Sequence, residues 1–207
     1  PRPVADAAAG KGPPHAEIAR QPTFIVAVIA GALGYGLMNL LMTATPIAMD
    51  FCGHPFSDAA WVIEWHVVGM FLPGFFTGSL IRRYGTLPII LAGTGLTVVA
   101  VFVALHGITV AHFVAALALV GIGWNFMYTG GTTLPTETYT PNEKARTQGL
   151  NDLIVFATMG VSSFASGALV TATGWETMNR AALPVLAIIA FAAAWLMWRR
   201  RRVPATA

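Results

Sequence analysis

The chain has 207 residues, 56% of them hydrophobic and 10% charged, with a formal net charge of +3 and a mean hydropathy of +0.66. A soluble domain carries about 25% charged residues, so this shortfall calls for an apolar solvent and excludes an ordinary water-soluble fold. The positive balance is explained below by membrane topology, and nothing in it points to a nucleic-acid partner.

In chain order, residues 1–22 come first. Pro1-Arg2-Pro3, an Ala/Gly-rich run and Lys11-Gly12-Pro13-Pro14 read as a cytoplasmic linker with no signal peptide, and His15 belongs to it. The segment 23–198 then holds apolar stretches at 24–49, 60–81, 87–106, 109–131, 149–172 and 180–198. Each can cross a bilayer, which takes roughly 20 mostly apolar residues. The runs are continuous, whereas barrel strands alternate with period two, so helices are expected. Residues 199–207 form a basic tail. The expected fold is an all-α membrane protein, a six-transmembrane-helix bundle embedded in the lipid bilayer.

Threading six spans from residue 1 puts Arg2, Lys11, Arg20, Arg82, Arg83, Lys144, Arg146 and Arg199 to Arg202 on one side, and Arg180 alone on the other. Cytoplasmic loops carry such an excess, so both termini of this segment are expected in the cytoplasm. An even number of spans after a cytoplasmic linker suits the second half of a duplicated protein, whose missing N-terminal six-helix half is the expected partner. Gly31, Gly34 and Gly36, the Gly74/Gly78 pair and the Ser163/Gly167 pair are candidates for close helix packing. Pro46, Pro73 and Pro184 bend spans or line a path.

Gly78-Ser-Leu-Ile-Arg82-Arg83-Tyr-Gly85 lies in the turn after the second span. It resembles the loop signature of the major facilitator superfamily, roughly G-x-L-A-D-R-x-G, with Arg82 where the family usually has Asp. Pro141-Asn-Glu143-Lys144-Ala-Arg146 resembles the corresponding loop three helices later, as 3+3 inverted repeats require. Glu17-Ile-Ala-Arg20-Gln-Pro22 looks like the end of that family's central loop. The resemblance implies the C-terminal six-helix half of a secondary transporter.

Cargo has to be read from side chains inside the spans. Met38 and Met42 sit at i and i+4 on one face of the first span, and His66 and Met70 do so in the second. At 1.5 Å per residue, Met38 lies about 21 Å and Met42 about 27 Å from Phe24, while Met70 and His66 lie about 18 and 24 Å from Arg82. If the two faces meet, three sulfurs and a nitrogen converge near mid-membrane. Thioether and imidazole suit a soft ion such as Cu(I), and an ionisable residue inside a membrane is a functional candidate by default. Methionine is equally core filler, so both readings stand at this point. The MxxxM and HxxxM pair resembles that of the CcoA-type copper importers. That resemblance implies Met38, Met42, His66 and Met70 as copper-binding residues. It also implies copper import across the bacterial inner membrane for cytochrome oxidase assembly, with copper as cargo and no resident cofactor.

Cys52 is the sole cysteine, so no internal disulfide forms. With Met49 and His54 it could collect the metal at the periplasmic mouth, or be an inert thiol. His106 and His112 read as interfacial, Asn125 as a helix-to-helix bond or a path residue, and Asn151-Asp152 as a cap near Arg146. Trp61, Trp65, Trp175 and Trp198 read as belt residues. Glu137, Glu143, Lys144 and Arg146 form a cytoplasmic charge cluster. Phosphate-loop, G-x-S-x-G and H-E-x-x-H motifs are lacking, so no enzyme is expected. Three alternatives stand beside copper import: a major facilitator exporter of small organic molecules with the methionines as apolar lining, a haem-holding redox subunit, and a six-helix dimer.

Overall fold

The computed structural model describes residues 19–139 and 143–202. The linker expectation for 1–22 therefore falls almost wholly outside the described residues, as do Pro141 and Asn142 of the second loop and residues 203–207 of the tail. The described residues form helices, and no strand occurs among them.

Helix α1 is Pro22–Phe51, α2 Phe56–Tyr84, α3 Thr86–His106 and α4 Val110–Glu137. Pro22 opens α1 where a missing N–H costs nothing, and Ile29–Leu33 within it forms a π-helical turn. Pro73 divides α2 into Phe56–Phe71 and Gly74–Tyr84, because proline supplies no N–H to the preceding turn. The last turn of α4, Leu134–Glu137, tightens to a 3-10 helix.

The remaining helical run, Lys144–Arg202, has 59 residues. As one rod it would measure about 88 Å, nearly three times a hydrocarbon core of about 30 Å. It reverses at Gly174, whose φ of 78° lies in the left-handed region that glycine alone enters freely. Leu169 and Thr173 before the turn share one cavity with Thr177, Ala181 and Val185 after it, so the chain doubles back. The run is thus two helices, α5 (144–173) and α6 (175–202), which makes six helices among the described residues.

Helix α4 packs on α1, α2 and α3, and glycines set its crossings. A Cβ at Gly121 would meet the His66 carbonyl at 2.6 Å on α2, one at Gly123 the Gly93 carbonyl at 2.7 Å on α3, and one at Gly131 the Gly31 nitrogen at 2.8 Å on α1. Backbones touch directly here because lipid gives helices no hydrophobic reason to associate, leaving close packing to hold them. Helix α5 lies along α1: Asn39 Nδ2 donates to Ser162 Oγ at 3.0 Å and Ser166 Oγ donates to the Leu40 carbonyl at 2.8 Å. The small-residue face of α5 is therefore Ser162/Ser166, one residue out of register from the expected Ser163/Gly167 pair, and Ser163 is exposed. On α2 the close approach is made at Gly69, against the Ala118 carbonyl at 2.6 Å, whereas Gly78 meets only Arg82 of its own helix.

Two apolar clusters fill the interior. One joins Leu37, Leu41, Val62, Val101, Phe113, Leu117 and Leu186. The other joins Val26, Ile90, Met127, Leu134, Ile189 and Leu196, nearer the end that carries Pro22 and Arg202.

Candidate functional site

Met38 and Met70 are buried within the first cluster, and Met42 and Cys52 pack against its margin. His66 is fully buried. Its Nδ1 lies 2.7 Å from the Leu117 carbonyl on α4. A carbonyl can only accept, so Nδ1 carries the proton. Nε2 is buried with no partner. The α2 turn from His66 to Met70 is pressed onto α4 by the mutual approach of Gly69, Ala118 and Gly121. The face bearing His66 is thus turned to α4, the principal neighbour of α2, while Met38 of α1 and Met70 of α2 share one apolar cluster.

Asn125 on α4 ties that helix to the break in α2. Its Nδ2 donates to the Met70 carbonyl and its Oδ1 accepts from Thr77 Oγ1, each at 2.7 Å. Thr77 also lies 2.8 Å from the Pro73 carbonyl. Asn125 thereby serves a carbonyl left open at the helix break beside Pro73, which makes it a structural bond between helices.

A group of rings that the sequence reading did not single out occupies the middle of four helices. Trp124 and Tyr128, one turn apart on α4, are stacked with centroids 5.1 Å apart and planes 9° from parallel. Tyr35 of α1 meets both edge-on, at 5.2 and 5.3 Å. Phe156 of α5 lies 6.3 Å from Tyr35, and Phe71 of α2 lies 6.4 Å from Trp124. Trp124 is only 6% exposed, while Phe156 is 49% and Phe71 62% exposed. The Trp124 Nε1 hydrogen has no acceptor. The available signal was an i, i+4 aromatic pair at the middle of a span, where belt residues do not belong.

The ends of the bundle are closed by polar contacts. Arg200 of α6 donates to Glu137 at 2.7 Å and to Thr23 of α1 at 3.2 Å. Arg199 and Arg202 lie over Trp195 and Trp198. At the opposite end His54 Nε2 donates to the Ile108 carbonyl at 2.7 Å, and His112 is bonded to Thr109. Trp175, expected in the belt, donates to the Ala104 carbonyl at 3.3 Å and fastens the Gly174 turn to α3.

Apolar helices of spanning length and glycine-set crossings define a multi-pass membrane protein. The chain belongs to the Major Facilitator Superfamily, whose family model matches residues 24–207. It is 46% identical over 178 residues to the riboflavin transporter RfnT of Brucella anthropi, an alignment covering 86% of this chain and 45% of that protein. Two uncharacterized MFS-type transporters of Bacillus subtilis are also similar. YddS is 29% identical over 86% of this chain and 41% of its own length, and YdeG 33% identical over 69% and 34%. The chain spans less than half the length of the curated relatives it matches.

These relatives correct the cargo. Copper import with supply to cytochrome oxidase is overturned by the 46% identity to a transporter of an organic molecule. The organic-solute alternative is the better supported one. The MxxxM and HxxxM spacing resembled a copper importer because methionine and histidine at i, i+4 also arise where a helix face is simply being packed, as at Met38, Met70 and His66.

Proposed function

We propose that this chain is the six-helix unit of a bacterial inner-membrane carrier for a flat, hydroxylated organic solute of the flavin type. The observation that carries the reading is the 46% identity, over 86% of the chain, to a riboflavin transporter. Rings from α1, α2, α4 and α5 support it, since aromatic faces hold a flat conjugated solute by stacking. A second six-helix unit is the proposed partner, with the exposed rings of Phe71 and Phe156 facing the path between the two. In the proposed orientation Arg82, Arg83 and Arg199 to Arg202 face the cytoplasm, the side on which positive charge accumulates, and the Gly174 turn faces outward. Rocking of the two units would expose the site to each side alternately.

The test is flux of radiolabelled riboflavin in a bacterial strain without its own flavin uptake. The strain carries the protein as its gene encodes it, and cells are loaded from outside and from within in separate runs. Flux above the empty-vector level in either direction supports the reading. Flux equal to the vector in both, with the protein present in the membrane, removes it.

A further inference from the structure

Resting on the flavin reading, we propose that Tyr128, Phe156 and Asp152 form a two-part substrate site in which the rings take the solute's flat tricycle and the carboxylate takes its hydroxylated chain.

The ring half follows from exposure and stacking. Trp124 and Tyr128 present parallel planes on one side of α4, and Tyr35 stands edge-on against both, so the pair is held from α1 and cannot swing away. Trp124 is closed in, whereas Tyr128 is half-buried and Phe156 half-exposed. Trp124 therefore backs the stack, and Tyr128 with Phe156 offers the ring area a solute can reach. Tyrosine is an electron-rich ring, and a flavin tricycle bearing two carbonyls is electron-poor, which favours offset stacking between them.

The polar half lies one turn away. Asp152 precedes Phe156 by four residues on α5, so both project from the same face. Asp152 is half-buried. Its neighbour Asn151 is fully buried with Oδ1 unpartnered, and Asn151 Nδ2 reaches Asp152 Oδ1 only at 3.4 Å. A carboxylate with spare acceptor capacity beside aromatic rings recognises a molecule with ring and hydroxyls joined. A purely apolar solute would leave that charge unsatisfied.

The experiment compares riboflavin with lumiflavin, which keeps the tricycle and lacks the hydroxylated chain. Riboflavin KM and the inhibition constant of lumiflavin are measured for wild type, Tyr128→Ala, Tyr128→Phe, Phe156→Ala and Asp152→Asn, with Phe164→Ala as a control at an exposed position of α5 away from the ring cluster. Tyr128→Ala and Phe156→Ala are expected to raise both constants about tenfold, the scale of one lost stacking contact. Tyr128→Phe should recover most of the Tyr128→Ala loss. Asp152→Asn should raise the riboflavin KM several-fold more than the lumiflavin constant. Should Tyr128→Ala fail to accumulate, Phe156→Ala, half-exposed, carries the ring arm. Wild-type constants in Phe156→Ala and Asp152→Asn overturn the site while riboflavin flux in the parent keeps the flavin reading. A parent that moves no riboflavin overturns both.

Discussion

Asn125 Nδ2 donates to the Met70 carbonyl across 2.7 Å, one helix supplying the bond at the point where another is broken before Pro73. Thr77 completes the arrangement by donating to Asn125 Oδ1. Inside a bilayer no water competes for these groups, yet measured couplings between polar side chains in membranes stay small, about 0.6 kcal/mol on average. Asn125→Leu and Thr77→Val are therefore expected to be non-additive by a modest amount. A double-mutant cycle on the thermal midpoint in detergent should return a coupling of about 0.5–1.5 kcal/mol. Additive effects would mean that the two side chains do not act together.

The α3–α4 crossing makes a sharper demand. A Cβ at Gly123 would lie 2.7 Å from the Gly93 carbonyl and would also press on Thr97 Oγ1, so backbone has to move. Gly123→Val is expected to cost about 2 kcal/mol or more and to lower the yield of monodisperse protein on size exclusion. Gly95→Ala, two residues from Gly93 with nothing near its Cβ, should behave as the parent.

At the reversal between α5 and α6, Gly174 has φ 78°. With ψ at 165° this backbone is open essentially to glycine, so an alanine there costs about 1–3 kcal/mol, and valine costs more because of its branched Cβ. The thermal midpoint should fall in the order Gly174, Gly174→Ala, Gly174→Val. An unchanged midpoint in Gly174→Val would contradict the turn.

Orientation is open to direct labelling. In a Cys52→Ser background, a cysteine replacing Glu176 beside the Gly174 turn should react with a membrane-impermeant maleimide in intact cells. One replacing Arg201 should react only after the membrane is opened. The reverse pattern would invert the proposed topology.

The Arg200–Glu137 pair spans α6 and the end of α4 at 2.7 Å, but both side chains are about two-fifths exposed. Exposed pairs contribute about 0–1 kcal/mol and weaken with salt. Arg200→Gln is expected to lower the thermal midpoint by only a degree or two, with the difference shrinking at high salt.

The all-helical membrane fold was legible because an apolar solvent writes itself into long uncharged runs, while the arginine asymmetry supplies the proposed topology. The superfamily resemblance of the Arg82-Arg83 loop agrees with the family match. Which face of a span looks where was not legible. Depth alone placed Met38 and Met70 at one level, and they share one apolar cluster, but helix depth says nothing about rotation. Rotation of α2 is set by Gly69 meeting Ala118 and Gly121, residues far apart in sequence. The same limit hid the ring cluster. Tyr35, Phe71, Trp124 and Phe156 are scattered over four helices, and only the Trp124/Tyr128 spacing is local. Ser163 was chosen over Ser162 for the same reason, a single residue of rotation.

The π turn at Ile29–Leu33 gives α1 one surplus residue within a turn. Removing one amino acid there would let the ladder relax to ordinary α pairing while the far half keeps its facing. Forcing α pairing with every residue retained would instead swivel everything beyond it by about 100°. Asn39 would then turn away from Ser162, and Tyr35 from the paired rings of α4. The wide turn thus acts as a phase adjuster, setting where the far half of the helix points without altering a single side chain in it.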